Sequence, residues 1–456
     1  MRHLYLMRHA KAKQPRGDMT DHQRPLRKRG KRQAAAMAPV LRRWQALAGE
    51  IYVSTAARTR ETFDEIAAQL PDRTLASPIH FDEALYTFDI EALLAWLKAL
   101  PDEAERVLII GHNPALVVLA RWLDKAAPPS LPTGSVLQFT LPDTHWSSMN
   151  QGCAELVGHL SSEEASYPLF KRLAPKPPAH KDDTASRIHA MLEHQYRMIR
   201  ALEPGVIAGV DPEFLHKYRV NLRRSRAVGE SLRSVVKVPG LKKRLKWLKH
   251  RARATSDLRD LDVFVEDLSN TSPPLSPGTR EGLKQWLQGC QREHHQALCQ
   301  QLSTPEYAEQ LQGWQRFIVS DEVAKALSKF TPKRSKAVLD ERIARHDEHL
   351  AALSLDASDT TLHELRKGLK RIRYLADLMP ETPKPLLSEL KHRQRLLGDF
   401  QDLRTRQVWL DAFCASDDND PRQKQECSQW CTALEKPKHN LRKDVLALAP
   451  LAEAQK

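Results

Sequence analysis

The chain has 456 residues, of which 41% are hydrophobic, and it carries a formal net charge of +14. Such a length accommodates two or three domains, each with its own hydrophobic core. No stretch approaches the roughly 18 uncharged apolar residues of a membrane span, and Arg8, His9 and Lys11 interrupt the apolar N-terminus. We therefore expect neither a transmembrane helix nor a signal peptide.

The positive charge is concentrated in the second part of the chain. Residues 1–170 contain 20 Lys and Arg against 19 Asp and Glu, whereas residues 171–456 contain 51 against 38. A polyanionic partner is therefore expected to bind the second part rather than the first.

The first part, residues 1–165, alternates strand-like with helix-like segments. Helical patterns lie at 59–70, 89–100 and 114–124. Short apolar runs typical of buried strands precede, separate and follow them, at 4–7, 51–54, 106–113, 136–141 and 153–160. This alternation predicts an α/β domain with three layers and a mostly parallel sheet.

Charged side chains and histidines follow three of these strands directly. Arg8 and His9 end the first run in LYLMRHA, Arg58 follows the second in STAARTRET, and His112 ends the third in GHNP. The carboxyl ends of parallel strands form the edge of a sheet at which ligands bind. A neutral imidazole can attack phosphorus while cations hold the phosphoryl oxygens, so this edge is predicted to be a phosphate pocket.

Five segments occur in one order along residues 1–160: LMRHAKA, DHQRPLRKRG, STAARTRET, EALY and VLIIGHNP. Through them this part resembles the histidine phosphatase superfamily, and in particular its short, SixA-like phosphohistidine phosphatases. The resemblance implies a phosphoglycerate-mutase-like fold and phosphatase activity without a cofactor. It implies His9 as the phosphorylated nucleophile and Arg8, Arg58 and His112 as the phosphate clamp.

The resemblance leaves the general acid open. Glu83, in EALY, is the candidate, and the alternative is that it is a solvated carboxylate without a catalytic role. Without a good acid, leaving groups that depart easily are favoured, such as the imidazole of phosphohistidine or a phosphoanhydride. Asp21 and Arg24 are expected to hold the loop before the first helix rather than to take part in the chemistry.

Residues 166–183 are predicted to be a Pro-rich linker, with APKPPAHKDD as its most typical stretch. Beyond it the strand patterns cease and long helical patterns follow, so residues 184–450 are predicted to be all-α. The six cysteines contain no CxxC pair, and no carboxylate cluster has metal-ligand spacing. We therefore expect reduced cysteines, a cytoplasmic protein and no metal site.

The helical part contains an internal repeat. HKYRVNLRRSR (216–226) matches HELRKGLKRIR (363–373), and LKHRARATSDLRDL (248–261) matches LKHRQRLLGDFQDL (390–403). Two paired blocks in the same order predict a duplication, with halves at about 184–303 and 304–450 that form two pseudo-symmetric helical bundles.

The first block of each half places four basic or histidine side chains on one helical face. Such a stripe repels itself unless anions or carboxylates intervene, and the paired blocks offer Asp257, Asp260, Asp399 and Asp402.

This half resembles the conserved histidine α-helical domain, CHAD, which implies a basic channel that binds inorganic polyphosphate. The residues implied are His216, Arg219, Arg223, Arg226, Lys249, His363, Arg366, Lys370, Arg373 and Lys391.

These observations leave more than one function open. We favour a phosphatase that acts on a phosphorylated protein or small molecule, and whose helical part recruits it to polyphosphate granules. Delivery of polyphosphate itself to His9 is a second possibility, and a non-catalytic polyanion scaffold that senses phosphate is a third. Nucleic acid is disfavoured because Trp247, Trp286 and Trp314 do not interleave with the basic stripes.

Overall fold

The structure is a computed structural model that describes residues 1–70, 78–143, 145–179, 183–417 and 419–455. The chain divides into two compact units. Unit 1 comprises residues 1–174 and 204–214, and unit 2 comprises residues 175–203 and 215–456. The predicted linker includes residues 180–182, which lie outside the described residues, so its bounds stay a prediction.

Unit 1 is built on one six-stranded sheet. The strand order is β3-β2-β4-β1-β5-β6. The four strands β3, β2, β4 and β1 are mutually parallel, whereas β5 is antiparallel to β1 and to β6. The strands are β1 Arg2–Arg8, β2 Glu50–Ser54, β3 Ile79–Asp82, β4 Arg106–Gly111, β5 Val136–Leu141 and β6 Glu155–Leu160.

Helices cover both faces of this sheet, which confirms the predicted three-layer α/β fold. Alternate residues of β1 face opposite sides, so Leu4 and Leu6 belong to one core whereas Tyr5 and Met7 belong to the other. The helices are α1 Lys28–Arg43, α2 Ala57–Ala67, α3 Ile90–Lys98, α4 Ala115–Leu123, α5 Ser162–Ala165 and α6 Tyr167–Phe170.

A glycine lets α1 approach the segment that follows β1. A Cβ atom added at Gly30 would lie 2.2 Å from the carbonyl oxygen of Lys11. No larger residue fits at this position without a shift of the helix or of the segment. This contact places α1 against the loop that carries His9.

Unit 2 is helical throughout its described elements, as predicted, apart from a short 3₁₀ turn near the C-terminus. Its helices are α7 Thr184–Ala208 (which runs on into unit 1), α8 Glu213–Val235, α9 Leu241–Ala254, α10 Ser256–Asn270, α11 Pro277–Leu302, α12 Pro305–Ile318, α13 Asp321–Leu327, α14 Pro332–Ala351, α15 Asp359–Ala376, α16 Lys384–Ala415, α17 Pro421–Ala433 and α18 Glu435–Leu446.

The two repeated blocks differ in one respect. In the second half the block LKHRQRLLGDFQDL lies within the continuous helix α16, whereas in the first half the matching block is broken at Thr255 between α9 and α10. The guanidinium of Arg219 donates to the carbonyl of Ala252 at 3.1 Å and to the hydroxyls of Thr255 and Ser256 at 3.2 and 2.7 Å. Arg219 therefore stabilises the end of α9 at this break.

All six cysteines are free thiols. Among the described residues, no group of three or more His, Cys, Asp or Glu side chains could hold a metal ion. Across the same residues, no helix combines the length and the apolar character that a membrane crossing requires.

Candidate functional site

The carboxyl ends of β1, β2 and β4 lie side by side in the sheet. Arg8 is paired with Gly111 across β1 and β4, so His9 and His112 both follow directly on adjacent strands. Arg58 lies in the first turn of α2, just beyond β2. A cavity of about 370 Å³ opens at this edge, and Arg8, His9 and Arg58 contribute to its lining. We call it the sheet-edge pocket.

The ring of His9 presents an unprotonated nitrogen. Its Nδ1–H donates to the carbonyl of Ala10 at 2.8 Å, and its Nε2 accepts from Nε of Arg58 at 3.2 Å. Burial lowers the pKa of His9 to about 3, and the charges of Arg58 and Arg8 also lower it. His9 is therefore neutral at pH 7, with the lone pair on Nε2.

The ring of His112 is held from both sides. Its centroid is 5.2 Å from that of His9. Nη2 of Arg58 donates to Nδ1 at 3.1 Å, so Nε2 carries the proton and donates to Oγ of Ser54 at 2.8 Å. Burial, together with His9 and Arg58, lowers the pKa of His112 to about 2. Ser54 thus fixes the tautomer and the orientation of this ring.

Arg58 connects the two histidines to a carboxylate. It is 2% exposed, and it donates to the backbone oxygen of Asp21 at 2.6 Å and to Oδ2 of Asp21 at 2.9 Å. Burial favours the neutral form of Asp21, but hydrogen bonds from Arg24 and Tyr86 and the charge of Arg58 outweigh it and lower its pKa to about 2. Asp21 is therefore ionised at neutral pH and fixes the guanidinium of Arg58.

The sheet-edge pocket is electropositive. Four cations line it, and among the described residues one carboxylate does, that of Asp21; the cations are Arg8, Lys11, Arg24 and Arg58. Tyr86 and Phe88 form an aromatic wall, with ring centroids 5.4 and 5.5 Å from that of His112. With both histidines neutral, this arrangement favours an anion.

Glu83 lies outside this lining. Its side chain is 74% exposed, and its carboxylate accepts a hydrogen bond from the hydroxyl of Thr55. His22 lies 3.9 Å from the same carboxylate. The assignment of Glu83 as a general acid stays a prediction.

Unit 2 contains a second cationic cavity, of about 690 Å³, between α7, α8, α15 and α16. We call it the repeat cavity because the repeated blocks of both halves line it. The predicted residues that lie in its wall are His216, Arg223, Arg366, Lys370 and Arg373.

The pKa of Lys370 reflects the positive charge that surrounds it in the repeat cavity. Burial, together with the positive charges of Arg366 and Arg223, lowers this pKa to about 7. Arg366 in turn has Asp402 as its principal opposing charge, and the matching residue Arg219 has Asp260. Each half of the duplication therefore contains both the arginine of its first block and the aspartate of its second block that opposes the charge of this arginine.

The other predicted residues of the stripes lie outside this cavity wall. Arg226 forms an ion pair with Glu230 at 3.3 Å, and Nδ1 of His363 contacts Oε1 of Gln401 at 2.8 Å. The side chain of Arg219 is engaged at the end of α9. Both predicted lysines of the second block, Lys249 and Lys391, are exposed.

Two family models match the chain. The histidine phosphatase superfamily (branch 1) matches residues 4–93, and the CHAD domain matches residues 190–411. The chain belongs to the histidine phosphatase superfamily and carries a CHAD domain.

Individual relatives cover the two parts separately. An uncharacterized protein of Mycobacterium leprae is 34% identical over 117 residues, which cover 25% of this chain and 68% of the relative. The solved protein histidine phosphatase SixA complexed with tungstate is 25% identical, covers 35% of this chain and 97% of its own, and has a TM-score of 0.29. The crystal structure of the CHAD domain from the plant Ricinus communis is 20% identical over 60% of this chain and 96% of its own, with a TM-score of 0.51, which shows a shared fold.

The sequence alone does not identify several residues in and around the sheet-edge pocket. Its patterns place Ser54 in a strand and give no role to Lys11, Tyr86 or Phe88. The placement of Ser54 as the last residue of β2, on the same edge as His112, was the one available signal. The aromatic wall depends on the loop after β3, a strand that the sequence did not predict.

Proposed function

We propose that this chain hydrolyses phosphoryl compounds through a phosphohistidine formed on His9, and that its CHAD domain binds inorganic polyphosphate. The observation that carries the first part is the unprotonated Nε2 of His9 in an electropositive pocket. A buried neutral imidazole beside two arginines is suited to attack on phosphorus.

The first step transfers the phosphoryl group to His9. The N–H groups of Arg58 turn from the two imidazoles to the phosphoryl oxygens, and Arg8 binds the same group. Nε2 of His9 then forms a bond to phosphorus while the bond from phosphorus to the leaving group breaks. Because the dianion raises the pKa of His112, its Nδ1 takes up a proton and donates to a phosphoryl oxygen. Water then attacks the phosphohistidine and releases inorganic phosphate and neutral His9.

The charge state of the pocket favours leaving groups that need little protonation. The carboxylate in its described lining, Asp21, is ionised at neutral pH and is occupied by Arg58. Glu83 is exposed and outside the lining. Phosphohistidine and phosphoanhydrides meet this requirement, because an imidazole or a phosphate departs without strong acid assistance.

The proposal for polyphosphate rests on the repeat cavity. Residues of α8 and α15 face the same space of about 690 Å³, and the pKa of Lys370 is lowered to about 7 partly because arginines surround it. A chain of phosphates, with about one negative charge each, relieves this repulsion and releases counterions. We propose that this binding recruits the phosphatase to polyphosphate granules, with presentation of a chain end to His9 as the alternative.

Phosphate release from three substrates tests the catalytic part. A phosphohistidine protein, a small aryl phosphate and medium-chain polyphosphate are each offered to the full-length wild type, to His9→Ala and to a control. The control is His159→Ala, at an exposed position of β6. We expect release from the first two substrates, lost in His9→Ala and kept in the control. Equal release by His9→Ala and wild type would overturn the proposed nucleophile, and no release by the wild type from any substrate would favour the scaffold reading.

A further inference from the structure

Unit 2 contains another cavity, of about 670 Å³, between α14, α15 and the C-terminal end of α8. We call it the α14 cavity. Four arginines line it: Arg342 and Arg345 from α14, Arg371 from α15 and Arg233 from α8.

The α14 cavity is separate from the repeat cavity. Lys370 and Arg373 of α15 line the repeat cavity, whereas Gly368 and Arg371 of the same helix line the α14 cavity. With 3.6 residues per turn, these two pairs lie on opposite faces of the helix. A ligand in one cavity is therefore not in contact with the other.

Two of the four arginines of the α14 cavity are already engaged. Arg345 pairs with Glu341 at 2.7 Å, and Arg342 donates to the carbonyl of Arg371 at 2.9 Å.

The other two arginines have no carboxylate partner. Two glutamates line the cavity, but each pairs with a cation outside the lining, Glu230 with Arg226 at 3.3 Å and Glu364 with Lys367 at 2.6 Å. The guanidinium groups of Arg233 and Arg371 form no ion pair within the described part of the chain. They are thus available to an anion from solution.

A buried histidine in the same wall also lacks partners. The side chain of His346 is 4% exposed, and neither of its ring nitrogens has a hydrogen-bond partner among the described residues. Buried polar atoms of this kind are normally satisfied. Because the ring lines the cavity, an acceptor group of a ligand bound there would accept a hydrogen bond from the N–H of His346.

A glycine in the middle of α15 borders the open space of the α14 cavity. Gly368 lines it, and a Cβ atom added at this position would meet no atom within 4 Å. Glycine inside a helix is unfavourable relative to alanine. The matching position of the first repeat is Asn221, so the repeat pattern does not require glycine here.

We propose that the α14 cavity is a second anion site, which binds a compact ligand carrying two or more phosphoryl groups. Arginine forks bind phosphoryl oxygens in pairs, and arginines from three helices line the cavity, so a ligand with more than one phosphoryl group can engage them together. This site does not depend on the proposed function of the repeat cavity.

Calorimetric titration with tripolyphosphate at physiological salt tests the proposal. The full-length chain is used with His9→Ala, so that the probe is not hydrolysed. Gly368→Glu places a carboxylate in the open space, and Gly368→Ala is its matched control. Arg233→Gln with Arg371→Gln removes two cations, and Lys333→Gln with Arg334→Gln, at two exposed positions of α14, controls for the change in net charge.

We expect Gly368→Glu and the double arginine variant to bind one tripolyphosphate fewer per chain than their controls, or to bind it at least tenfold more weakly. Arg223→Gln with Lys370→Gln should leave this binding event in place, because those residues line the repeat cavity. If Gly368→Glu and Gly368→Ala bind the probe with the same stoichiometry and affinity, the proposal is wrong. The same holds if all binding disappears with the repeat-cavity variant.

Discussion

Individual hydrogen bonds decide which nitrogen of His9 and of His112 keeps its lone pair. Nδ1 of His9 donates to the carbonyl of Ala10, which leaves Nε2 for the proposed attack on phosphorus. Nε2 of His112 donates to Ser54, which leaves Nδ1 for the proposed contact with the phosphoryl group. Arg58 donates a hydrogen bond to the unprotonated nitrogen of each ring. In the proposed mechanism, the phosphoryl group of a bound substrate takes the place of the rings as the acceptor of these hydrogen bonds.

Replacing Ser54 by alanine should slow turnover without removing a group that touches the substrate. The ring of His112 loses the acceptor that fixes its tautomer, and a hydrogen bond of about 1 kcal/mol corresponds to roughly a five- to tenfold loss of kcat/KM. Ser54→Thr keeps the hydroxyl and should restore activity. Ser135→Ala is the control, since this buried hydroxyl has no partner among the described residues. Equal loss in Ser54→Ala and Ser135→Ala would contradict the positioning role.

The stability of unit 1 should fall in mild acid. Folding lowers the pKa of His9 to about 3 and that of His112 to about 2, from 6.5, so the unfolded chain binds these protons more readily. The contribution of these two histidines to the stability of unit 1 is therefore fully present above about pH 6.5. It is lost as the pH falls from there toward their pKa values in the folded state. His112→Asn should reduce the fall in melting temperature between about pH 7 and about pH 5. Calorimetry with His159→Asn as the control checks this, and an unchanged slope in His112→Asn would contradict it.

Among the individual residues, those that follow strands could be predicted from the sequence. The residues that contact their side chains could not. Arg8, His9, Arg58 and His112 could be predicted because a strand end fixes their direction. The hydrogen bond from Arg58 to Asp21 and the wall formed by Tyr86 depend on loops that meet only in the folded chain.

Among the elements, the buried strands could be predicted and the exposed one could not. The strand predicted at 136–141 is confirmed as β5, and its buried apolar positions explain why. The four residues of β3 are largely exposed and carry no apolar run. The break between α9 and α10 also gives no signal, because the block there contains neither Pro nor Gly and the break is stabilised by Arg219 of another helix.

The contact of α1 with the segment after β1 gives a prediction at this scale. A methyl group at Gly30 would overlap the carbonyl of Lys11, so Gly30→Ala should destabilise unit 1 by about 1–3 kcal/mol and reduce turnover. Gly313→Ala in α12, where the added Cβ meets nothing within 4 Å, is the control and should be neutral or stabilising. Chemical denaturation of both variants checks this, and equal stability of the two would contradict the close approach.

The proposed polyphosphate binding should depend on pH through Lys370 of the helix α15. Bound phosphates should raise the pKa of Lys370 from about 7, so binding takes up a proton above this pH and weakens as the pH rises, by at most about tenfold per unit. Lys370→Arg stays protonated and should bind equally well on both sides of pH 7. Titrations of the two proteins with polyphosphate check this. His194, whose pKa burial lowers, lines the same cavity, so the difference between the two proteins, rather than either curve, is the readout.

In the whole molecule, cationic side chains line cavities in both units. Four cations of unit 1 line the sheet-edge pocket, whereas the more basic unit 2 lines larger cavities with them. The sequence predicted this division through its charge counts and its repeat. It could not predict the cavities themselves, because their walls combine helices that are far apart in the chain.

The most direct test measures both hydrolysis and polyphosphate binding in a variant of the sheet-edge pocket and in a variant of the repeat cavity. Aryl phosphate hydrolysis and polyphosphate binding are compared for the wild type, His9→Ala, and Arg223→Gln with Lys370→Gln. We use these two residues rather than Arg219, whose change would also disturb the end of α9. The account predicts that His9→Ala loses hydrolysis and keeps binding, and that the double variant loses binding and keeps hydrolysis. Loss of both activities in either folded variant would contradict it.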